Sequence, residues 1–283
     1  MSTPRTPGDS FGSPQNSGKA NRMSFATLAF TLSTDRVGIV TLNRPEVRNA
    51  MNTAMMGELR DCFAGFYVDQ DAAACLVLTG AGTAFCAGAD LKERNGMDET
   101  SWRRQHAVAE QMIRAVMDCP IPIIAAVNGA AFAGGMELAL ACDFVYAAAS
   151  ARFALTEVSL GIMPGAAGTQ NLPRAVGVRR AKEIVLTATP FSASEAQHWG
   201  MVNRVCADAA LLKETLAVAG RIAENAPISV RQAKKALDKA TELDRGSGYA
   251  FEIEAYNRTL VTADRQEGIA AYNAKRKPRY HGR

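Results

Sequence analysis

The sequence is poor in the residues that build metal sites and disulfide frameworks. It has three histidines in 283 residues, at positions 106, 198 and 281, with no ligand spacing between them. No metal site is expected from that pattern. The six cysteines, at 62, 75, 86, 119, 142 and 206, include no Cys-x-x-Cys pair, and most stand in apolar runs. Buried free thiols are expected, not a redox pair or a stapled scaffold. Charge of one sign is also scarce, because 32 Lys and Arg against 28 Asp and Glu leave only +4. That excess is too small to make a nucleic-acid or membrane surface by itself, and it suits a local patch for an anionic ligand. The longest weakly charged stretch, Pro120–Met136, is broken by Pro122, Asn128 and several glycines. It falls short of a membrane span of ~20 apolar residues. There is no Gly-x-Ser-x-Gly elbow and no Walker lysine motif. Gly80-x-Gly82 follows a strand-like run but meets Phe85 at the third glycine position, so a dinucleotide site is set aside.

What is present is an ordinary globular balance of 48% hydrophobic and 21% charged residues. The length fits one large domain, or one domain with an appendage. Residues 1–24 are rich in Ser, Pro, Gly and Asn, and are expected to be a disordered tail. Arg5, Lys19 and Arg22 against Asp9 give that tail half of the net charge. No apolar core of a secretory signal follows, and Pro and Gly oppose an amphipathic transit helix. A soluble, cytoplasmic protein is expected.

Strand patterns recur at Phe25–Leu32 and Val37–Leu42, which flank a hairpin turn, and at Cys75–Thr79 and Ile121–Val127. Weaker ones lie at Phe144–Ala147 and Val202–Val205. Helical patterns fall between them, at Asn52–Tyr67, Ser101–Asp118, Met136–Cys142, Val178–Leu186 and Ala193–Trp199. Ser192 and Glu195 have capping-box spacing. The reading is α/β over 25–207 and helical over 208–283, with Pro227 near a helix start. Strand starts about 40 residues apart hint at a repeated ββα unit, without a sequence repeat to prove it.

Three stretches can carry chemistry: Phe85–Lys92 (FCAGADLK), Val127–Leu138 (VNGAAFAGGMEL), and Phe153–Glu157 through Gly161–Gly168. Gly134-Gly135 stands directly before an apolar helix. A helix start offers free N–H groups and the positive end of the dipole, and glycine lets a ligand approach the backbone. The Phe85–Lys92 turn can aim N–H groups at the same point, and two such donors would polarise a carbonyl oxygen. Each glycine cluster taken alone is equally a turn or a close helix–sheet contact. Glu137 and Glu157 are carboxylates among apolar neighbours, where burial raises a pKa toward the proton-transfer range. Alone, Glu137 also fits a glutamate serving a helix dipole, and Glu157 a cap or a solvated loop residue. Together they suggest acid–base chemistry next to a carbonyl.

With FCAGADLKE, IAAVNGAAFAGGMELALACD, ALTEVSLGIMPGAAGTQ, LPRAVG and the closing KRKPRYHG in order, the chain resembles the crotonase (enoyl-CoA hydratase/isomerase) superfamily over about residues 26–283. The look is closest to the methylglutaconyl-CoA hydratase-like branch. The resemblance implies a spiral of ββα units with a C-terminal helical trimerisation region, trimers commonly pairing into hexamers. It implies oxyanion-hole amides at Ala89 and Gly134 and catalytic glutamates at Glu137 and Glu157. Ala87, Asp90, Lys92 and Lys275 are the matching substrate-binding positions, with Lys92 approaching the CoA phosphates and Lys275 reaching CoA from a neighbouring subunit. A solvated lysine is the plainer alternative for both. Asp143 matches a structural aspartate. The implied activity is reversible hydration of a 2-enoyl-CoA, with no metal or cofactor beyond the CoA of the substrate. The alternatives are a 3,2-enoyl-CoA isomerase, another acyl-CoA reaction of this fold, or a non-catalytic acyl-CoA or RNA-binding relative. Some members of that branch bind RNA through a lysine-rich first helix, but Asn52–Tyr67 carries only Arg60 as a cation. No nucleic-acid partner is therefore expected. Asn171, Ala166-Ala167 and the segment 94–110 depart from the common pattern.

Overall fold

The computed structural model describes residues 25–283, so the expected tail lies outside the described residues. The chain opens with an antiparallel hairpin, β1 (Leu28–Leu32) and β2 (Val37–Leu42), followed by α1 (Thr53–Val68). Three successive units then share one pattern. The first is β3 (Cys75–Gly80), β4 (Ala84–Cys86), α2 (Leu91–Arg94) and α3 (Glu99–Met117). The second is β5 (Ile123–Val127), β6 (Ala130–Phe132) and α4 (Gly134–Leu140). The third is β7 (Phe144–Ala148), β8 (Arg152–Ala154), a 3-10 turn over Glu157–Leu160, α5 (Gly168–Val176) and α6 (Val178–Thr187). β9 (Phe191–Ser192), α7 (Ala193–His198) and β10 (Arg204–Cys206) follow, and the remainder is α8 (Leu211–Ala223), α9 (Pro227–Lys239), α10 (Arg245–Leu260) and α11 (Ala263–Asn273).

In each unit the first strand joins a six-stranded sheet, ordered β1-β2-β3-β5-β7-β10, and the second joins a four-stranded sheet, ordered β4-β6-β8-β9. This is the repeated ββα turn, and it explains why only half of its strands show in the sequence. β3 and β5 are apolar runs, buried almost throughout. β4, β6 and β8 have three residues each, too short for an alternating pattern that marks a strand in sequence. β9, with two residues, is hidden for the same reason.

Other boundaries moved for local reasons. α3 starts at Glu99, ahead of the expected Ser101, because the Asp98 side chain accepts from Ser101 N and caps the helix. α4 starts at Gly134, two residues early, and ends at Leu140. α5 escaped notice because it opens on glycine and contains Pro173. The capping box of Ser192 and Glu195 is formed, and Pro227 is the first residue of α9.

The core lies between the large sheet and the helices. α8 runs across β2, β3, β5 and β7, so the first of the C-terminal helices packs as part of the core. α1 pairs with α3. All six cysteines are buried free thiols, and burial pushes Cys86 up to about 12, which leaves it unreactive. Asp143 accepts from Ile123 N and from Lys234 Nζ, at 2.6 and 2.8 Å, tying α9 to the sheet as a structural aspartate would.

Candidate active site

β4, β6 and β8 are neighbouring parallel strands, with Ala84 opposite Ala130 and Phe132 opposite Ala154. Their C-terminal ends therefore emerge side by side. The residues singled out in the sequence lie just past those ends: Ala89 after β4, Gly134 after β6, and Glu157 after β8. Glu137 is one turn into α4. Ends of adjacent parallel strands are where open sheets place ligand crevices.

The turn after β4 is held by Met51. Its N–H donates to Gly88 O at 2.7 Å, and its carbonyl accepts from Asp90 N at 2.9 Å. Those two bonds bracket Ala89 and leave its own N–H without a partner among the described residues. Gly134 is the first residue of α4, where no intrahelical acceptor exists for its N–H, and it too has no described partner. The two residues are close neighbours, since a Cβ on Gly134 would lie 4.0 Å from Ala89 N. Two features of backbone bring them together. A Cβ on Gly135 would stand 2.2 Å from Cys86 O, so only glycine lets α4 begin this close to β4. Ala133 carries φ +49° and ψ −126°, a conformation costing about 1–3 kcal/mol outside glycine, and such strain gathers at functional sites.

Glu137 is buried, and its Oε1 accepts from Ala166 N and Gly168 N, both at 2.8 Å. The two donors flank Ala167, whose left-handed φ of +67° turns them toward one oxygen, an anion-binding nest. A Cβ on Gly168 would lie 2.7 Å from Glu137 Oε1. Burial raises the Glu137 pKa above the ordinary value, with the two N–H donors pulling against it. Glu157 is buried, and among the described residues neither carboxylate oxygen has a hydrogen-bond partner. Burial pushes its pKa up to about 7, and the nearby Glu137 charge adds to the rise. The site thus holds two N–H donors without a partner among the described residues, one carboxylate fixed by a nest, and one buried carboxyl pushed up to about 7.

The structure brings Ala89, Gly134, Glu137 and Glu157 together. Ala87 is half-buried, its N–H donating to Arg48 O. The Asp90 carboxylate is occupied: it caps α2 through Lys92 N and Glu93 N and pairs with Arg44 Nη1 at 3.0 Å. Lys92 is exposed on α2. Lys275 is exposed just past α11, and none of its described contacts reaches the other four residues. Asn171 sits against Met117, its amide 3.7 Å from the sulfur. The amides of Ala166 and Gly168 were not foreseen as holders of Glu137. Their only sequence signal is the small-residue run Gly165–Gly168. Among the described residues, no group of three or more His, Cys, Asp or Glu could hold a metal ion, and no helix is long and apolar enough to cross a membrane.

Comparison with known proteins gives a consistent answer. The model of a family described as enoyl-CoA hydratase/isomerase matches residues 33–283. The human enoyl-CoA hydratase domain-containing protein 2, mitochondrial, is 42% identical over 253 residues, 86% of this chain and 85% of that protein. The short-chain-enoyl-CoA hydratase of Clostridium acetobutylicum is 37% identical over 243 residues, 86% of this chain and 93% of that protein. A crystal structure of enoyl-CoA hydratase from Bacillus anthracis superposes with a TM-score of 0.89 at 41% identity, covering 91% of this chain and all of that one.

Proposed function

Because the chain belongs to the enoyl-CoA hydratase/isomerase (crotonase) family, we propose that it is a hydratase, adding water reversibly across the 2,3-double bond of a 2-enoyl-CoA. The thioester carbonyl accepts from Ala89 N–H and Gly134 N–H, which stabilise the enolate-like charge that develops as water attacks carbon 3. Glu137, with one oxygen fixed by the nest, orients that water and takes its proton. Glu157, partly protonated at neutral pH because burial lifts it to about 7, delivers a proton to carbon 2. The two titrations are coupled, so the apparent values belong to the pair. Lys92 serves the CoA phosphates and Lys275 the CoA of a neighbouring subunit. Self-association as a trimer, or a dimer of trimers, has its support in exposed apolar side chains on α9–α11, among them Leu237, Tyr249, Tyr256, Ile269 and Tyr272.

The observation that carries this reading is the pair of carboxyl groups beside the pair of free amides, because shuttling one proton between carbons 2 and 4 needs only one carboxylate. Crotonyl-CoA and a 3-enoyl-CoA, assayed with the wild type, Glu137→Gln and Glu157→Gln, test it. Hydration of crotonyl-CoA that is lost in both variants supports the reading. Full hydration in either variant removes that residue, and turnover of the 3-enoyl-CoA alone replaces hydration with isomerisation.

A further inference from the structure

α3 presents a buried apolar stripe, Ala109, Met112, Ile113 and Val116, toward the core. The first position of that stripe is Gln105, polar and only 3% exposed. A buried amide at a core position costs stability unless it is fully engaged. Here it is. Gln105 Oε1 accepts from Arg94 Nε at 2.7 Å, and its Nε2 donates to Glu93 Oε2 at 2.7 Å and to Thr53 Oγ1 at 2.9 Å. Glu93 Oε2 also accepts from Thr53 N at 2.8 Å, and the Arg94 guanidinium stacks over Trp102, 4.6 Å from the ring centre. One amide thus joins three helices: the start of α1, both inward-facing side chains of α2, and α3.

The element that gains from this is α2. A four-residue helix cannot hold itself in water, because nucleation is unfavourable for a single turn. Its N-terminal side is held by the Asp90 cap and the Asp90–Arg44 pair. Its C-terminal side is held by Glu93 and Arg94, and both of those converge on Gln105. Ala89 directly precedes the cap residue of α2, so α2 is a second anchor, beside Met51, of the turn that carries the Ala89 N–H. The amide has one workable orientation, oxygen to Arg94 and nitrogen to Glu93, which selects a single register for the turn. The residue after Gln105 reinforces the role of α3 as a frame. The His106 Cε1 lies 3.0 Å from where a Cβ on Gly165 would stand, on the loop that leads to the Glu137 nest.

We propose that Gln105 is a positioning residue of the active site: by clamping Glu93 and Arg94 it fixes α2, and through α2 it keeps the Ala89 N–H aimed at the thioester carbonyl. The proposal rests on the reading of Ala89 as an oxyanion donor.

The test is Gln105→Met, similar in size and apolar, in the full-length protein. The readouts are kcat and KM with crotonyl-CoA and the absorption of bound dimethylaminocinnamoyl-CoA, whose red shift reports polarisation of its thioester carbonyl. A donor displaced by a fraction of an ångström predicts kcat lower by about tenfold to a hundredfold, KM changed by less than about threefold, and a smaller red shift. Arg94→Met, which removes only one of the amide's partners, shifts both readouts the same way by less, and decides the matter if Gln105→Met does not fold. Arg103→Ala, on the exposed side of α3, leaves both unchanged. Unchanged kcat, or reduced kcat with the full red shift, overturns the proposal. A wild type that gives no red shift overturns the oxyanion reading beneath it, a distinct outcome.

Discussion

Glu157 should destabilise the folded protein at neutral pH, and Glu157→Gln isolates that cost. The carboxyl is 6% exposed, neither oxygen has a hydrogen-bond partner among the described residues, and burial lifts its pKa from the ordinary 4.5 to about 7. Glutamine imitates the protonated acid in size and neutrality, and its polar atoms are equally unpartnered. The variant therefore removes the ionisation penalty and little else. The sign follows from proton binding. Well below 4.5 both folded and unfolded states hold the proton, and wild type and variant are equally stable. As pH rises the unfolded state releases its proton first, so the wild type loses stability, and above about pH 7 the loss is complete. At 1.36 kcal/mol per pKa unit the full penalty is about 3 kcal/mol, against about 1 kcal/mol at pH 5. For a chain of this size, about 3 kcal/mol is about 5–10 °C in Tm. Differential scanning calorimetry at equal protein concentration should find the variant melting higher than wild type by that margin at about pH 8, and by only about 2 °C at about pH 5. A Tm difference that ignores pH, or a variant that melts lower at the higher pH, would refute the claim that this carboxyl is desolvated.

Three further substitutions probe the frame of the site. Gly168→Ala puts a methyl 2.7 Å from Glu137 Oε1 and must displace that carboxylate; steady-state kinetics should show kcat down by about a hundredfold or more in a folded protein. Ala167→Gly frees a left-handed residue from its Cβ and should raise stability by about 0.5–1 kcal/mol in urea titration, with the nest intact. Lys234→Met breaks the pair with Asp143, whose side chains are 10% and 20% exposed. It should cost about 3 kcal/mol by the same titration while leaving kcat unaltered, because the pair lies outside the site.

Much of this architecture was legible because it rests on long apolar runs and strong local signals. CLVLT and IPIIAAV announce strands covered on both faces, and Ser192–Glu195 announces a helix start. What stayed hidden was the small sheet. Its strands have two or three residues each, so pairing with neighbours, not their own pattern, makes them strands. That sheet is also what aligns the site, so the residue pattern picked out Gly134, Glu137 and Glu157, and the family resemblance Ala89, without showing why they meet. Glu137 and Glu157 stood out as acids in apolar surroundings. Asp90 did not reveal that its carboxylate is consumed by Arg44 and the start of α2. The nest at Ala166–Gly168 was invisible because its donors are backbone atoms and its geometry depends on a strained alanine. Gln105 was overlooked because one polar residue on an amphipathic helix looks like ordinary surface until its burial is known.

The most direct test is a crystal structure of the protein with a slowly reacting enoyl-CoA analogue bound. The account predicts the thioester oxygen about 2.7–3.1 Å from both Ala89 N and Gly134 N, with the carboxyl groups of Glu137 and Glu157 facing carbons 3 and 2. A thioester oxygen bound elsewhere, or a reacting double bond beyond the reach of either glutamate, would contradict it.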